Sequence, residues 1–419
     1  MKSTILCCYG LLWCGLLAAQ SAPITAIYPA RLFDGEAMHA GWGLWLQADT
    51  IVAVGPRREL AARRAAPDVT LELPEATLLP GLIEGHSHLL LHPYDETSWN
   101  DQVLVESQAE RVARGTVHAR RTLEAGFTTT RDLGSEGAGY ADVGLKQAID
   151  KGVIPGPRML VAGPAIVATG SYGPKGFAEH VHVPLGAQEA DGADLVRVTR
   201  EQIGGGADVV KVYADYRWGP NGEAMATFSE EELRTIVETA ASSGRPTVAH
   251  AATAEGMRRA TLAGVNTIEH GDGGTPEVYR LMADRGVALC PTLAAPEAIL
   301  RYRGWQKGVD PEPERITQKR ASFRAALDAG VTIVAGGDSG VFTHGDNAHE
   351  LELMVEYGMA PLAVLRSATS VNADVFGLQA QVGRLRPGLL ADLLLVHGRQ
   401  DEDIRALRQV VGVMKGGEG

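Results

Sequence analysis

Six side chains of the kinds that bind divalent metals or move protons are spread along this chain: His86, His88, Lys211, His250, His270 and Asp338. In an extended strand, residues two apart point the same way, so His86 and His88 can offer two imidazoles to one ion. His250 and His270 can supply nitrogens to a second. Lys211 is the odd member, because an ammonium has no lone pair and burial disfavours its charge. As a neutral amine it can add CO₂. The carbamate so formed is an anion with two oxygens, suited to bridging a pair of ions about 3.5–4 Å apart. Asp338 can ligate and can accept a proton. Imidazole-rich hydrolytic centres take zinc by default, and cobalt, manganese and iron fit the same donors. Each feature alone has an ordinary structural reading: a surface His-x-His, an internal lysine ion pair, a core histidine. Their shared position at strand ends favours the metal reading.

The strands that must position these groups can be read from the apolar pattern. Eight candidates are Leu78–Glu84, Thr128–Asp132, Arg158–Ala162, Val209–Val212, Thr247–Ala249, Thr267–Glu269, Val287–Pro291 and Val331–Ala335. Amphipathic stretches such as Glu230–Ser243, Ala254–Ala263 and Ile316–Ala329 lie between them. Alternation of strand and helix predicts an α/β parallel architecture, and eight such units predict a (β/α)₈ TIM barrel. A doubly wound open sheet is the competitor, but no glycine-rich phosphate loop opens a helix. The donors fall at the C-terminal ends of strands one, five and six, within strand four and just after strand eight. In a barrel those positions converge. Short β-like segments recur at both chain ends, predicting a small β-sandwich built from residues 23–80 and 380–419 around a barrel at 81–379.

With 419 residues, a net charge of −12 and a mean hydropathy of −0.04, the chain has the composition of a water-soluble globular protein. The negative balance and the lack of a basic run argue against nucleic acid and anionic membrane surfaces as partners. Residues 1–22 read as a cleaved export signal: Lys2, an apolar run, then small residues ending at Ala22. A lipid anchor at Cys14 is disfavoured by the bulk of Trp13. Secretion or a periplasmic location follows, with no stable membrane anchor. Cys7, Cys8 and Cys14 lie in the signal, leaving Cys290 without an internal partner and best read as a buried apolar residue. Homo-oligomerisation stays open.

Several blocks resemble the amidohydrolase superfamily: Leu79-Pro80-Gly81-Leu82-Ile83-Glu84-Gly85-His86-Ser87-His88, Thr128-Thr129-Thr130-Arg131-Asp132-Leu133-Gly134, Gly337-Asp338-Ser339, Gly383-Arg384-Leu385-Arg386-Pro387-Gly388 and Ala391-Asp392-Leu393. With a lysine in strand four, they are similar to the branch of imidazolonepropionase-like proteins and metal-dependent Xaa-Pro dipeptidases or carboxypeptidases. Within it the chain resembles the bacterial ochratoxin-degrading amidohydrolases. The resemblance implies a binuclear centre that hydrolyses amide bonds of N-acyl amino acids or dipeptide-like small molecules, with release of phenylalanine from ochratoxin A as one candidate reaction. Hydrolysis of a cyclic amide, lactone or phosphotriester on the same fold is the alternative. One departure stands out: relatives often carry Thr-Gly-Gly-His after strand three, where this chain has Thr169-Gly170-Ser171-Tyr172.

Asp338 is the expected catalytic proton carrier, taking a proton from the attacking water and giving it to the leaving amine. Candidate substrate-binding residues are Tyr172, Tyr213, Tyr216, Arg217 and His344. Arg217 suits a substrate carboxylate. His92, His180 and His182 are weaker candidates.

Overall fold

The computed structural model describes residues 22–63, 66–178 and 180–418. Apart from Ala22, the expected export signal lies outside the described residues, and so do Cys7, Cys8 and Cys14.

Both chain ends contribute to one mixed sheet of seven strands. Its order is Val410–Met414, Leu393–His397, Val69–Pro80, Ile24–Phe33, Trp42–Gln47 and Thr50–Pro56, with Met38–Ala40 added to Ile24–Phe33. Alternation gives this sheet an apolar cluster on each face. Ile27, Leu44, Leu46 and Ile51 pack on one side, and Ala26, Tyr28, Trp45 and Ala53 on the other. The expected sandwich is thus drawn as one hydrogen-bonded sheet with two covered faces.

The middle of the chain is a succession of parallel strands with helices between them. Leu82–Ser87 pairs with Phe127–Asp132, which pairs with Arg158–Val161. The Val161 carbonyl accepts from the Asp208 and Val209 amides, leading to Val210–Tyr213. That strand pairs with Thr247–Thr253, then Thr267–Gly273, then Ala288–Cys290. Leu289 exchanges backbone hydrogen bonds with Thr332 and Val334. The Gly85 amide donates to the Ala335 carbonyl at 2.9 Å, returning the path to its start. This arrangement is TIM-barrel-like.

The helices begin where the sequence supplies caps. Ser229 accepts from the Glu232 amide in a reciprocal capping box, and Thr253 and Thr275 cap the next two helices. Glycines in left-handed backbone, Gly206, Gly264 and Gly286, end three helices.

One boundary differs from the sequence expectation. Leu78–Pro80 does not begin the first barrel strand but ends the long strand of the seven-stranded sheet. The chain switches sheets at Pro80-Gly81, where a Cβ at Gly81 would come within 2.1 Å of the Thr128 hydroxyl. Only glycine allows that close approach.

Closure between the first and last barrel segments depends on Asn372. Its Nδ2 donates to the carbonyls of Ile83 at 2.8 Å and Ala335 at 2.9 Å, and its Oδ1 accepts from the Ala335 amide at 3.1 Å. The side chain is fully buried. Asn372→Ala is therefore expected to lower unfolding free energy by about 1–3 kcal/mol, the range for buried polar groups left unpaired. Denaturant titration showing no loss would contradict a stapling role for this side chain.

Candidate active site

All the expected donors gather at the C-terminal end of the barrel strands. A cavity of about 460 Å³ opens there, lined by His86, His88, His250, His270 and Asp338. Donor atoms of His86, His88 and Asp338 lie within 4.8 Å of one another. Asp338 Oδ1 is 3.6 Å from His86 Nε2 and 3.4 Å from His88 Nε2. The His270 ring centroid is 5.1 Å from that of His86 and 4.4 Å from that of His250, so the four imidazoles form one chain across the floor.

Three of the four imidazoles are aimed by a partner on the far nitrogen, while His250 Nε2 lies 3.8 Å from Asp215 Oδ1. His86 Nδ1 is 2.8 Å from Glu269 Oε2, His88 Nδ1 is 2.9 Å from the Gly134 carbonyl, and His270 Nδ1 is 2.8 Å from the Thr292 hydroxyl. Such partners fix ring orientation and leave Nε2 free toward the cavity. Beneath them, Glu84 accepts from the amides of His86 at 3.0 Å and Gly337 at 2.9 Å, and from Asn347 Nδ2 at 2.8 Å. Glu84 thereby ties the strand carrying His86 to the loop carrying Asp338. Burial pushes its carboxyl up to about 7.

Lys211 is wholly buried, and its Nζ has no hydrogen-bond partner. Burial lowers its pKa, which favours the neutral amine. Asp338 Oδ1 is likewise buried without a hydrogen bond that satisfies it. Two unsatisfied polar atoms together with four neighbouring imidazoles are the pattern expected where a bound ion completes the contacts. The residues present fit a metal centre.

Backbone conformation marks the same place. Among the described residues, five that are not glycine have positive φ, and four of these line the cavity: Glu136, His270, Thr292 and Asp338. Non-glycine residues hold such conformations at a cost that clusters at functional sites.

The expected substrate residues divide. Tyr172, Tyr213, Tyr216 and Arg217 line the cavity. The Tyr172 ring packs 4.8 Å from both Tyr213 and Tyr216, and Tyr213 stacks 4.5 Å from His250. His344 is elsewhere: it is buried, stacks 4.4 Å from His118, and its Nε2 meets the Leu91 carbonyl at 3.0 Å. It does not line the cavity, because the loop after Asp338 turns it behind the first strand. His92 is held between Glu96 and Glu106, and His180 and His182 are exposed outside the cavity lining.

Several lining or supporting groups were not anticipated: Tyr94, Glu136, Asp215, Asp272, Arg315, and below the floor Arg131 and Glu269. The last two carried a signal, since charged residues inside buried strands need a specific partner. Tyr94 and Glu136 lie in loops whose course the sequence pattern does not give.

Comparison with known proteins fits this geometry. Residues 77–418 match the family described as "Amidohydrolase family". The chain is 30% identical to ochratoxinase of Aspergillus niger, over 96% of this chain and 88% of that protein. The crystal structure of that ochratoxinase superposes with a TM-score of 0.78 at 29% identity, covering 95% of each chain. A Xaa-Pro dipeptidase with methionine bound in its active site superposes with a TM-score of 0.83 at 29% identity, over 94% of this chain and 99% of that one.

The Asp338–His88 pair gives a pH signature in protein stripped with a chelator. For Asp338, burial alone would raise the pKa, but the nearby His86 and His88 rings hold it down at about 2. For His88, burial alone would lower it, but Asp338 raises it to about 9. The pair therefore stabilises the fold fully between the ordinary values of 3.8 and 6.5. That contribution is lost as pH falls through about 2 or rises through about 9. The stability difference between the parent and Asp338→Asn, both in chelator, should shrink from about pH 6 to about pH 10. A difference that stays flat over that range would remove the pair as its source.

Proposed function

Because the chain belongs to the amidohydrolase family and is a hydrolase of amide bonds, we propose that it is a binuclear metal-dependent enzyme acting on N-acyl amino acids or dipeptide-like amides. The observation that carries this is a buried, unpartnered Lys211 amine together with a cavity lined by four neighbouring imidazoles and Asp338. In this reading the metals are held by His86, His88, His250, His270, Asp338 and a carboxylated Lys211, with zinc favoured by the imidazole-rich donors. Bound divalent ions supply Lewis acidity and lower the pKa of a coordinated water. The frame is a (β/α)₈ barrel over residues 81–379, with 23–80 and 380–419 forming the second domain.

The remaining work falls to the protein. Asp338, low in pKa and beside His86 and His88, is a carboxylate able to take the proton of the attacking water. Passing that proton to the leaving nitrogen matters because an amide anion is a very poor leaving group. Tyr172, Tyr213 and Tyr216 form an aromatic wall for the substrate side chain, and Arg217 at the mouth offers a guanidinium to a substrate carboxylate. The likeness to ochratoxinase makes ochratoxin A, an aryl amide of phenylalanine, a substrate to test first.

Purified active protein should carry close to two divalent ions per chain by elemental analysis. Lys211→Ala should lose most of its bound metal and its activity, and a short-chain carboxylate added to the medium should restore part of both. One ion or none in active protein, or near-normal turnover by Lys211→Ala, would defeat the binuclear reading. A panel of N-acyl amino acids, dipeptides and ochratoxin A, set beside cyclic amides, lactones and a phosphotriester, identifies the bond type.

Residues 1–22 support export by their order of positive, apolar and small residues. N-terminal sequencing of protein from the producing cell should begin near Ala22 or Pro23. Finding Met1 would overturn the secreted or periplasmic assignment.

A further inference from the structure

The chemistry above leaves Glu136 without a task, although its placement is demanding. The residue is 3% exposed, sits in left-handed backbone and lines the cavity. Its Oε2 accepts hydrogen bonds from Trp99 Nε1 at 2.9 Å and the Tyr172 hydroxyl at 2.7 Å. Both donors are neutral. Among the described residues, no hydrogen bond reaches Oε1, and no lysine, arginine or histidine pairs with the carboxylate. The adjacent guanidinium of Arg111 is occupied by the carbonyls of Leu90, Ser135 and Glu136 itself. Other carboxylates in the lining have partners: Asp272 has Lys319, Asp215 has the amides of Ala252 and Thr253, and Asp338 has the imidazoles. A buried carboxylate without a cation is costly, and a ligand can supply the missing charge.

The surroundings suit a cation as well. The Tyr172 ring lies 5.4 Å from Trp99 and 4.8 Å from each of Tyr213 and Tyr216, and Tyr94 lines the same cavity. Aromatic faces attract ammonium and guanidinium groups, more strongly where water is excluded. The Tyr172 hydroxyl is turned onto Glu136. Tyr172 thus helps hold the carboxylate in place.

We propose that Glu136 and the tyrosines beside it form a subsite for a cationic group, an ammonium or guanidinium, carried by the substrate. The substrate class becomes amides bearing a positive charge on one side of the scissile bond. This rests on the amide-hydrolase reading and narrows it.

The test reads binding separately from turnover. Phenethylammonium and its neutral counterpart 2-phenylethanol are titrated calorimetrically into the parent protein, Glu136→Gln and Tyr172→Phe. The parent should bind the cation at least ~10-fold more tightly than the alcohol, as a desolvated cation site requires. Glu136→Gln can still accept from Trp99 and Tyr172, and it should bind both probes alike. Tyr172→Phe keeps the ring and releases Oε2, so it should retain the preference. Equal affinities in the parent, no binding of either probe, or a preference that survives in Glu136→Gln would each overturn the subsite. Matched N-acetylated dipeptides carrying lysine or norleucine, on either side of the bond, add the kinetic arm. The lysine member should have the higher kcat/KM in the parent only. If no amide is hydrolysed, the amide-hydrolase reading fails, while the calorimetry still decides the subsite.

Discussion

The carboxylate of Glu269 is the knot on which the candidate site hangs. One oxygen accepts from Arg131 Nη2 at 2.8 Å and from the Thr267 hydroxyl, and the other meets His86 Nδ1 at 2.8 Å. Arg131 also donates to the Gly85 carbonyl at 2.7 Å and to the Thr267 hydroxyl at 3.1 Å, and its guanidinium lies 4.1 Å above the Phe376 ring. Three barrel strands are locked by one buried ion pair. Burial alone would raise the Glu269 pKa, but Arg131 and His86 hold it far below the usual carboxylate range. Such a pair contributes little net stability, because desolvation offsets most of the attraction. What it supplies is position: His86 can present only Nε2 to the cavity, and His270, next in sequence to Glu269, is carried to the same floor.

Much of this was legible in the sequence because a barrel converts strand order into proximity. Seven of the eight expected strands correspond to strands or to a hydrogen-bonded parallel segment, and every expected donor except the buried Lys211 lines one cavity. The start of the first strand was not legible. Leu78–Glu84 reads as one strand in the sequence, and the strand pairings and the close approach of Gly81 to Thr128 show that it serves two sheets. His344 misled for a related reason. It follows Asp338 by six residues, yet the loop folds back and stacks it on His118, where burial and the neighbouring ring push its pKa well below normal. Distance along a loop is a poor guide to direction.

The conformational cost of the site was also hidden. Asp338 and His270 adopt left-handed backbone that neither residue type favours strongly, and their neighbours over-determine it. The Asp338 amide donates to the His86 carbonyl at 2.9 Å, and Glu84 grips the flanking Gly337 amide. Asp338 therefore cannot relax into a more ordinary conformation without breaking the closure between the first and last barrel segments. The closure and the placement of Asp338 are one set of hydrogen bonds.

The same economy explains how selectivity can change without disturbing the floor. Metal-binding candidates are anchored from below by Glu84, Glu269, Thr292 and the Gly134 carbonyl, whereas Trp99, Glu136, Tyr172 and Tyr216 come from the segments that connect the barrel strands. Glu136 and His88 meet only across Gly134, where a Cβ would lie 3.2 Å from the Glu136 Oε1 and 3.4 Å from His88 Cε1. Gly134 has φ of +154°, which a residue with a side chain rarely adopts, so the narrow passage between the two layers is kept open by glycine itself. Tyr172 acts on the upper layer through its bond to Glu136, and it makes no hydrogen bond to the groups that anchor the lower layer. Charge placed at Glu136 is still felt by His88, which ties the recognition of a substrate group electrostatically to the imidazole closest to Asp338.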